Sequence, residues 1–147
     1  MRVKLRLPFM AALILTTGCS DRVESPSDPF LIPKERVASV IEDANRGDLS
    51  AVKQLIAHFE ASSGNDAIAA KWSAKARELG DAQELYYYAA QMFTATRHES
   101  NSLKKHEMLV DALNSAKRSY AIRADTSTQK LVDEIAQALD GGENLSR

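Results

Sequence analysis

The side chains best suited to covalent or metal chemistry are one cysteine, Cys19, and three histidines, His58, His98 and His106. The histidines lie too far apart along the chain for a local metal motif. The sequence also contains no H-E-x-x-H, no glycine-rich phosphate loop and no G-x-S-x-G nucleophile motif. It therefore predicts a protein that is not an enzyme and that uses no cofactor and no metal. A zinc or acid–base site that only the fold assembles is the alternative that the sequence leaves open.

Cys19 lies at the end of an N-terminal segment that has the composition of a secretory signal. Three basic residues precede an apolar stretch at residues 7–15, and small residues lead from there to the cysteine. The apolar stretch is too short for a membrane-spanning helix, which needs about 20 apolar residues. We therefore predict a signal peptide at residues 1–18 that is removed from the mature chain.

The segment that ends at Cys19 resembles the signal of a bacterial lipoprotein. In that family the cysteine thiol is alkylated by a diacylglycerol, the chain is cut before the cysteine, and the new amine is acylated. The resemblance implies lipidation of Cys19, and several acyl chains at about 0.8 kcal/mol per buried methylene anchor a protein stably in a membrane. Thr16 departs from the family pattern, in which leucine is commonest at that position. The alternative is an ordinary cleavable signal followed by an unmodified cysteine.

The predicted processing bears on the charge, the redox chemistry and the location of the mature chain. Removing three of the 19 Lys and Arg residues leaves 16 against 20 Asp and Glu, so the side-chain balance becomes −4. No basic field remains for nucleic acid, and lipidation of Cys19 leaves no thiol for a disulfide. In lipoprotein sorting, aspartate after the cysteine is associated with the inner membrane. Ser20 at that position favours the outer membrane of the cell envelope, with the protein facing the periplasm.

Residues 19–33 are predicted to form a flexible tether between the lipid and the folded domain. They include three of the chain's four prolines together with serines and acidic residues, a composition that favours an extended chain. The apolar residues 30–32 are the exception, and we expect them to pack on the first helix. A helical domain is predicted at residues 34–140 and a frayed tail at residues 141–147.

The rest of the chain has the periodicity of six amphipathic helices, and no run of alternating β-branched residues competes with it. Gly47-Asp48 and Gly80-Asp81, 33 residues apart, each combine a helix-ending glycine with a helix-capping aspartate. They predict the hinges of two helical hairpins, and a third, atypical hairpin follows. Its first helix is expected at about residues 102–122, and residues 125–127 offer caps for the second, which ends at Gly141-Gly142.

The third helix, which precedes Gly80, has apolar residues on two opposite sides. One side of the helix carries its large apolar side chains and one alanine, and the opposite side carries three further alanines. The two sets are Ile68, Trp72, Ala76 and Leu79, and Ala67, Ala70 and Ala74. This pattern predicts a helix that is buried on both sides, as in the interior of a stacked array. We expect Trp72 to stabilise the fold.

The fifth helix is predicted to bury a stripe of side chains that includes a histidine. The stripe consists of His106, Leu109, Leu113, Ala116 and Tyr120. His106 is accordingly interpreted as an interior or boundary histidine.

The pattern W-x3-A-x3-G-D-x3-L-x2-Y around the second hinge resembles the Sel-1-like repeat, a relative of the tetratricopeptide repeat. It is carried by Trp72, Ala76, Gly80, Asp81, Leu85 and Tyr88, and a weaker copy by Ala44, Gly47, Asp48, Ala51, Leu55 and Phe59. Tyr88-Ala89 stands where the family usually has a Leu-Gly pair. The resemblance covers residues 37–93. It implies that the six helices stack as a short right-handed solenoid, an all-α fold that is used for protein binding.

Tyrosines and lysines near the second hinge are the candidate partner-binding residues. Tyr88 shares the apolar side of the fourth helix, so we interpret it as a core residue with its hydroxyl at the edge. Tyr86 and Tyr87 point elsewhere, and tyrosine is a frequent interface anchor. Lys71 and Lys75 give the third helix a basic edge that suits an acidic partner. The alternatives are packing between repeats for the tyrosines and a solvated face for the lysines.

These features together predict a lipid-anchored protein of the periplasm that binds another protein. Small lipoproteins with Sel-1-like repeats resemble immunity proteins that neutralise toxins delivered into the periplasm, such as type VI secretion lipase effectors. The resemblance implies that the chain covers the active site of such a toxin. The alternative function is that of a scaffold or assembly factor of an envelope complex. A neighbouring gene for a secreted phospholipase or wall hydrolase would favour immunity over the scaffold.

Overall fold

The computed structural model describes residues 30–143, which form six α-helices and no strand. The helices are α1 (Lys34–Asn45), α2 (Leu49–Ala61), α3 (Asp66–Glu78), α4 (Ala82–Ala95), α5 (Ser102–Ile122) and α6 (Thr126–Glu143). Each helix packs on the next in chain order, as in a small solenoid of helical hairpins. The predicted all-α fold class is confirmed for this part of the chain. None of the six helices combines the length and the apolar character that crossing a membrane requires.

The predicted signal peptide, Cys19 and most of the tether lie outside the described residues, as do residues 144–147. At the end of the tether, Ile32 packs on the core that α1 forms with α2. Its backbone N–H donates to His58 Nδ1 of α2 at 3.1 Å. Phe30 and Leu31 are exposed. The chain is therefore attached to both of the first two helices before α1 begins.

The two Gly-Asp hinges have the same backbone structure. Gly47 and Gly80 adopt left-handed φ angles of 94° and 84°, which strain any side chain larger than hydrogen. The following aspartates, Asp48 and Asp81, each donate their backbone N–H to a carbonyl five residues earlier, at 3.1 and 2.9 Å. Each aspartate carboxylate then accepts a backbone N–H of the next helix at 2.8 Å. The predicted hinges are confirmed in position and in their capping, but α3 and α4, which the second hinge connects, make only a small direct contact and do not pack as a closed hairpin.

The apolar core is divided into two clusters, one in each half of the chain. Alanine supplies about half of each cluster, three of seven residues in α1–α3 and three of six in α4–α6, and the other members are valine, leucine or isoleucine. The clusters consist of Val40, Ala44, Ala51, Val52, Leu55, Ile56 and Ala76, and of Ala89, Leu109, Ala112, Ala116, Leu131 and Ile135. No buried residue belongs to both clusters.

The boundary between the halves, which we call the junction, lies between α3 and α4. α3 packs mainly on α2, whereas α4 packs mainly on α5, and the direct contact of α3 with α4 is much smaller. Two polar contacts cross from the first half to α4: Lys53 Nζ lies 3.1 Å from Asp81 Oδ2, and the guanidinium of Arg77 lies 4.3 Å from the ring centroid of Tyr88. Arg118 of α5 adds a third by donating to the backbone carbonyl of Arg77 at 3.2 Å. Three polar contacts therefore connect the two halves at the junction.

The prediction that α3 is buried on both sides is wrong. Ala69 and Ala76 are buried, but Ile68 and Leu79 are 41% and 37% exposed, and Ala70 is exposed as well. Among the described helices, α3 packs on α2 and to a small extent on α4, and α5 reaches it through the hydrogen bond of Arg118. One side of α3 consequently has no neighbouring helix to cover it. Trp72, expected to stabilise the fold, is half-buried against the first cluster.

The interpretation of His106 as an interior or boundary residue is also wrong. Residues 102–107 of α5 are all exposed, so the helix begins before its packed part. Tyr120 is 37% exposed. The buried side is instead formed mainly by small residues, which let α5 approach its neighbours closely. They are Leu109, Ala112, Ser115, Ala116 and Ser119.

α6 begins as predicted but extends beyond its predicted end. The carboxylate of Asp125 accepts the backbone N–H of Thr128 at 2.8 Å and so caps the helix. Leu131 and Ile135 are buried, as expected. The helix continues through Gly141 to Glu143 because Gly141 keeps an ordinary negative φ and does not form the left-handed turn that ends α1 and α3.

Candidate functional site

An open groove of about 830 Å³ lies between α2, α3 and α4. We call it the groove. It exists because α3 and α4 have different packing partners, so the two helices do not close on each other. Small residues on α3, namely Ala69, Ala70 and Ser73, form one wall. Of the three alanines that predicted a close helical neighbour, Ala70 lines this open recess, and Ala67 and Ala74 do not.

The other wall belongs to α4 and carries the aromatic side chains. Tyr87 is 48% exposed, and its hydroxyl accepts a hydrogen bond from Gln83 Nε2 at 2.9 Å. Tyr88 lines the groove at the junction. Tyr86 does not line the groove, because it packs partly against the second cluster. The predicted exposure of Tyr87 is confirmed, and its role in binding stays a prediction.

Tyr86 and Tyr87 meet edge to face, with ring centroids 5.9 Å apart. Both line a second recess of about 400 Å³ beside the turn between α5 and α6. Asp125 lies in this recess, and hydrogen bonds from the backbone N–H and the hydroxyl of Thr128 hold the pKa of its carboxyl below the ordinary value. Tyr87 thus separates the two recesses and contributes to both.

Tyr88 connects both halves of the chain at the base of the groove. Its hydroxyl donates to Asp111 Oδ2 of α5 at 2.5 Å, while Arg77 of α3 covers its ring. The hydrogen bond to Asp111, followed by burial, raises the pKa of the Tyr88 hydroxyl above its ordinary value of 10.0. The tyrosine therefore remains a hydrogen-bond donor throughout the physiological pH range.

The predicted lysines lie away from the groove. At about 100° per residue, Lys71 and Lys75 point to the side of α3 opposite the groove wall. Lys71 is exposed, and Lys75 Nζ lies 3.9 Å from Glu78 Oε2 on the same helix. The structure therefore does not bring the two lysines together with Tyr87, and the four predicted binding residues do not form one surface.

The described residues hold no group of three or more His, Cys, Asp or Glu side chains that could bind a metal ion. His58 accepts the N–H of Ile32, and His98 and His106 are exposed. The groove contains carboxylates, amides and phenols, which suit hydrogen bonding and ion pairing.

Glu60, Asp66 and Arg77 line the groove, although the sequence had not indicated Glu60 or Asp66 as candidates. Glu60 ends up near α4 only through the packing of α2 on α3, and this contact has no signal in local spacing. Asp66 occupies the first turn of α3, directly after Asn65 at the N-cap position. Only the tertiary arrangement brings these three side chains together.

Comparisons of the chain with protein-family models, curated proteins and solved structures gave no match. The resemblances to lipoprotein signals and to Sel-1-like repeats therefore rest on the residues of this chain.

Proposed function

We propose that this protein is a lipid-anchored binding protein of the periplasm that holds another protein in the groove. The observation that carries the proposal is the groove itself, an open recess of about 830 Å³ with Tyr87 exposed on its wall. Exposed tyrosines are frequent anchors of protein interfaces, because they combine a large apolar surface with a hydroxyl. Small residues opposite the tyrosine leave room for a side chain of the partner.

The partner that we propose is a toxin delivered into the periplasm, for example a type VI lipase effector. Two features support this choice: the segment ending at Cys19 resembles a lipoprotein signal, and residues 37–93 resemble Sel-1-like repeats. A toxin that attacks lipid must approach the membrane. A protein anchored there by acyl chains can bind it before it reaches its substrate and cover its active site.

Deletion of the gene tests the immunity function. Cells without it should lose viability when cultured with toxin-delivering siblings, and the wild-type gene should restore survival. A gene carrying Tyr87→Ala should restore survival less well, because the aromatic anchor of the groove is lost. Lys71→Ala is the matched control, since Lys71 lies on the opposite side of α3. Unchanged survival of the deletion strain in this competition would sink the immunity function.

Cys19→Ala tests the anchor independently of the partner. Without the thiol there is no site for the diacylglycerol, so we expect the protein to leave the membrane fraction. Immunoblotting of membrane and soluble fractions measures the change. Continued recovery of the variant with membranes would contradict lipidation of Cys19.

A further inference from the structure

The charged side chains of the groove are not balanced. Two basic residues line it: Lys53 is paired with Asp81, whereas Arg77 lies over the neutral ring of Tyr88 and keeps its charge. Three acidic residues also line it, and they form no ion pair with another residue that the structure describes. They are Glu60, Asp66 and Glu84. The lining thus carries three negative and two positive charges, a net charge of −1, and its unpaired carboxylates outnumber its unpaired cation, Arg77.

We propose that the groove binds a basic segment of the partner protein, one that carries arginine or lysine side chains. This inference rests on the proposed function and specifies the chemistry of the partner. Opposite charges across an interface speed association and determine register. Glu60 and Asp66 lie toward the end of the groove away from the Gly80 hinge, and both side chains are exposed and accessible to a cation.

The aromatic and small residues of the groove fit the same kind of segment. The exposed ring of Tyr87 offers a face on which an arginine guanidinium can stack. Arg77 already makes such a contact with the neighbouring Tyr88. Ala69 and Ala70 accommodate the aliphatic part of a long basic side chain. An anionic segment would meet the three carboxylates instead, so the charge of the groove disfavours it.

This inference reverses the expected charge of the partner. The basic edge of Lys71 and Lys75 suggested an acidic partner, but that edge lies on the side of α3 opposite the groove. Removal of the signal peptide strengthens the negative balance of the chain as a whole. The groove concentrates this negative charge beside an exposed aromatic ring.

Two short fluorescein-labelled peptides test the proposal. One consists of alanine and arginine, and the other has glutamate in place of each arginine. The full lipidated chain is held in nanodiscs of neutral phosphatidylcholine, and fluorescence anisotropy measures binding after subtraction of the signal from empty nanodiscs. We expect the arginine peptide to bind about tenfold more tightly than the glutamate peptide, and this preference to fall as salt is added.

Paired neutralising variants show whether the groove is responsible. Glu60→Gln with Asp66→Asn should weaken binding of the arginine peptide roughly fivefold. The control, Glu35→Gln with Glu107→Gln, removes the same charge from exposed residues outside the groove, and Glu35, like Asp66, lies in the first turn of its helix. Circular dichroism verifies that both double variants remain helical. Equal binding of the two peptides, or equal losses in the two double variants, would overturn the proposal.

The result of the peptide-binding experiment can be distinguished from the result of the immunity experiment. Suppose that Glu60→Gln with Asp66→Asn weakens binding of the arginine peptide, while the deletion strain survives as well as wild type. This result would support the basic segment and reject the immunity function. If Glu60→Gln with Asp66→Asn protects cells from the toxin as well as the control pair does, the basic segment is rejected and the immunity function is retained.

Discussion

The two halves of the molecule achieve burial in different ways. The first half uses short helices, with 12 residues in α1 and 13 in α2, and fills its core with large side chains such as Val52 and Leu55. In the second half, α5 and α6 have 21 and 18 residues, and the buried side chains include small polar ones such as Ser119 and Thr128. Each half thus completes a core of its own. The comparison explains why little apolar surface is left to join α3 to α4.

The consequence for function is that the groove lies where the two cores end. Lys53 with Asp81 and Arg77 with Tyr88 hold the halves together along its base. Such contacts contribute less stability than buried apolar surface. A substitution at the junction can therefore lower stability without creating a cavity in either cluster. The following substitutions distinguish the polar contacts of the junction from the apolar contacts of the clusters.

Leu55→Ala and Ile135→Ala should have the largest effect, because both side chains are 0% exposed and each belongs to one cluster. Each should lower the free energy of unfolding by about 3 kcal/mol, as cavity-forming substitutions do. Urea denaturation measures the loss. If the cores are separate, hydrogen exchange should rise most in α1–α3 for Leu55→Ala and in α4–α6 for Ile135→Ala. An equal rise over all six helices with both variants would show that the halves unfold as one.

Asp81→Ala should have the next largest effect, about 2 kcal/mol, because it removes both the cap of α4 and the ion pair with Lys53. Asp48→Ala is the matched control: Asp48 caps α2 in the same way but is exposed. The control should cost about 1 kcal/mol. Denaturation midpoints measure both. Equal losses would mean that the Lys53 contact does not stabilise the junction.

Tyr88→Phe should lower stability by about 1 kcal/mol, since the hydroxyl bonded to Asp111 is lost while the ring under Arg77 remains. The raised pKa of Tyr88 adds a pH dependence to this difference. The hydroxyl contributes its full stabilisation below the ordinary pKa of 10.0, and this contribution declines as the pH rises further and the folded-state hydroxyl ionises. Denaturation at neutral pH and above pH 10 compares the variant with wild type. A difference that grows with pH would have the wrong sign.

Tyr87→Ala should have the smallest effect on stability, within about 0.5 kcal/mol, because the side chain is 48% exposed. Its effect on binding of the arginine peptide should be larger, roughly tenfold. Thermal denaturation and anisotropy provide the two measurements. Lys75→Ala, on the opposite side of α3, is the control for binding. A loss of stability as large as that in Tyr88→Phe would identify Tyr87 as a structural residue.

Of the four residues predicted to bind the partner, Tyr87 alone lines the groove, and the composition of the site could not be predicted. The exposure of Tyr87 followed from its angle on α4, since it points away from Leu85. The position of Lys71 and Lys75 away from Tyr87 could not be predicted in this way, because it depends on how α3 is rotated against α2 and α4. Glu60 joins the groove from a helix that does not adjoin α4 in the chain. Angles within one helix are local, whereas angles between helices depend on packing.

The amino-acid sequence by itself determined the six helices and their hinges. Gly47 and Gly80 adopt φ angles that other residues avoid, and the aspartates after them satisfy free N–H groups, so both signals act within a few residues. Only the tertiary structure decided that α3 would pack on α2 and α4 on α5. The reason is that an alanine-rich helix side, such as that of Ala69 and Ala70, suits a close helical neighbour and the wall of an open groove equally well. Whether such a side meets another helix or lines a groove depends on where the large side chains of the other helices are buried.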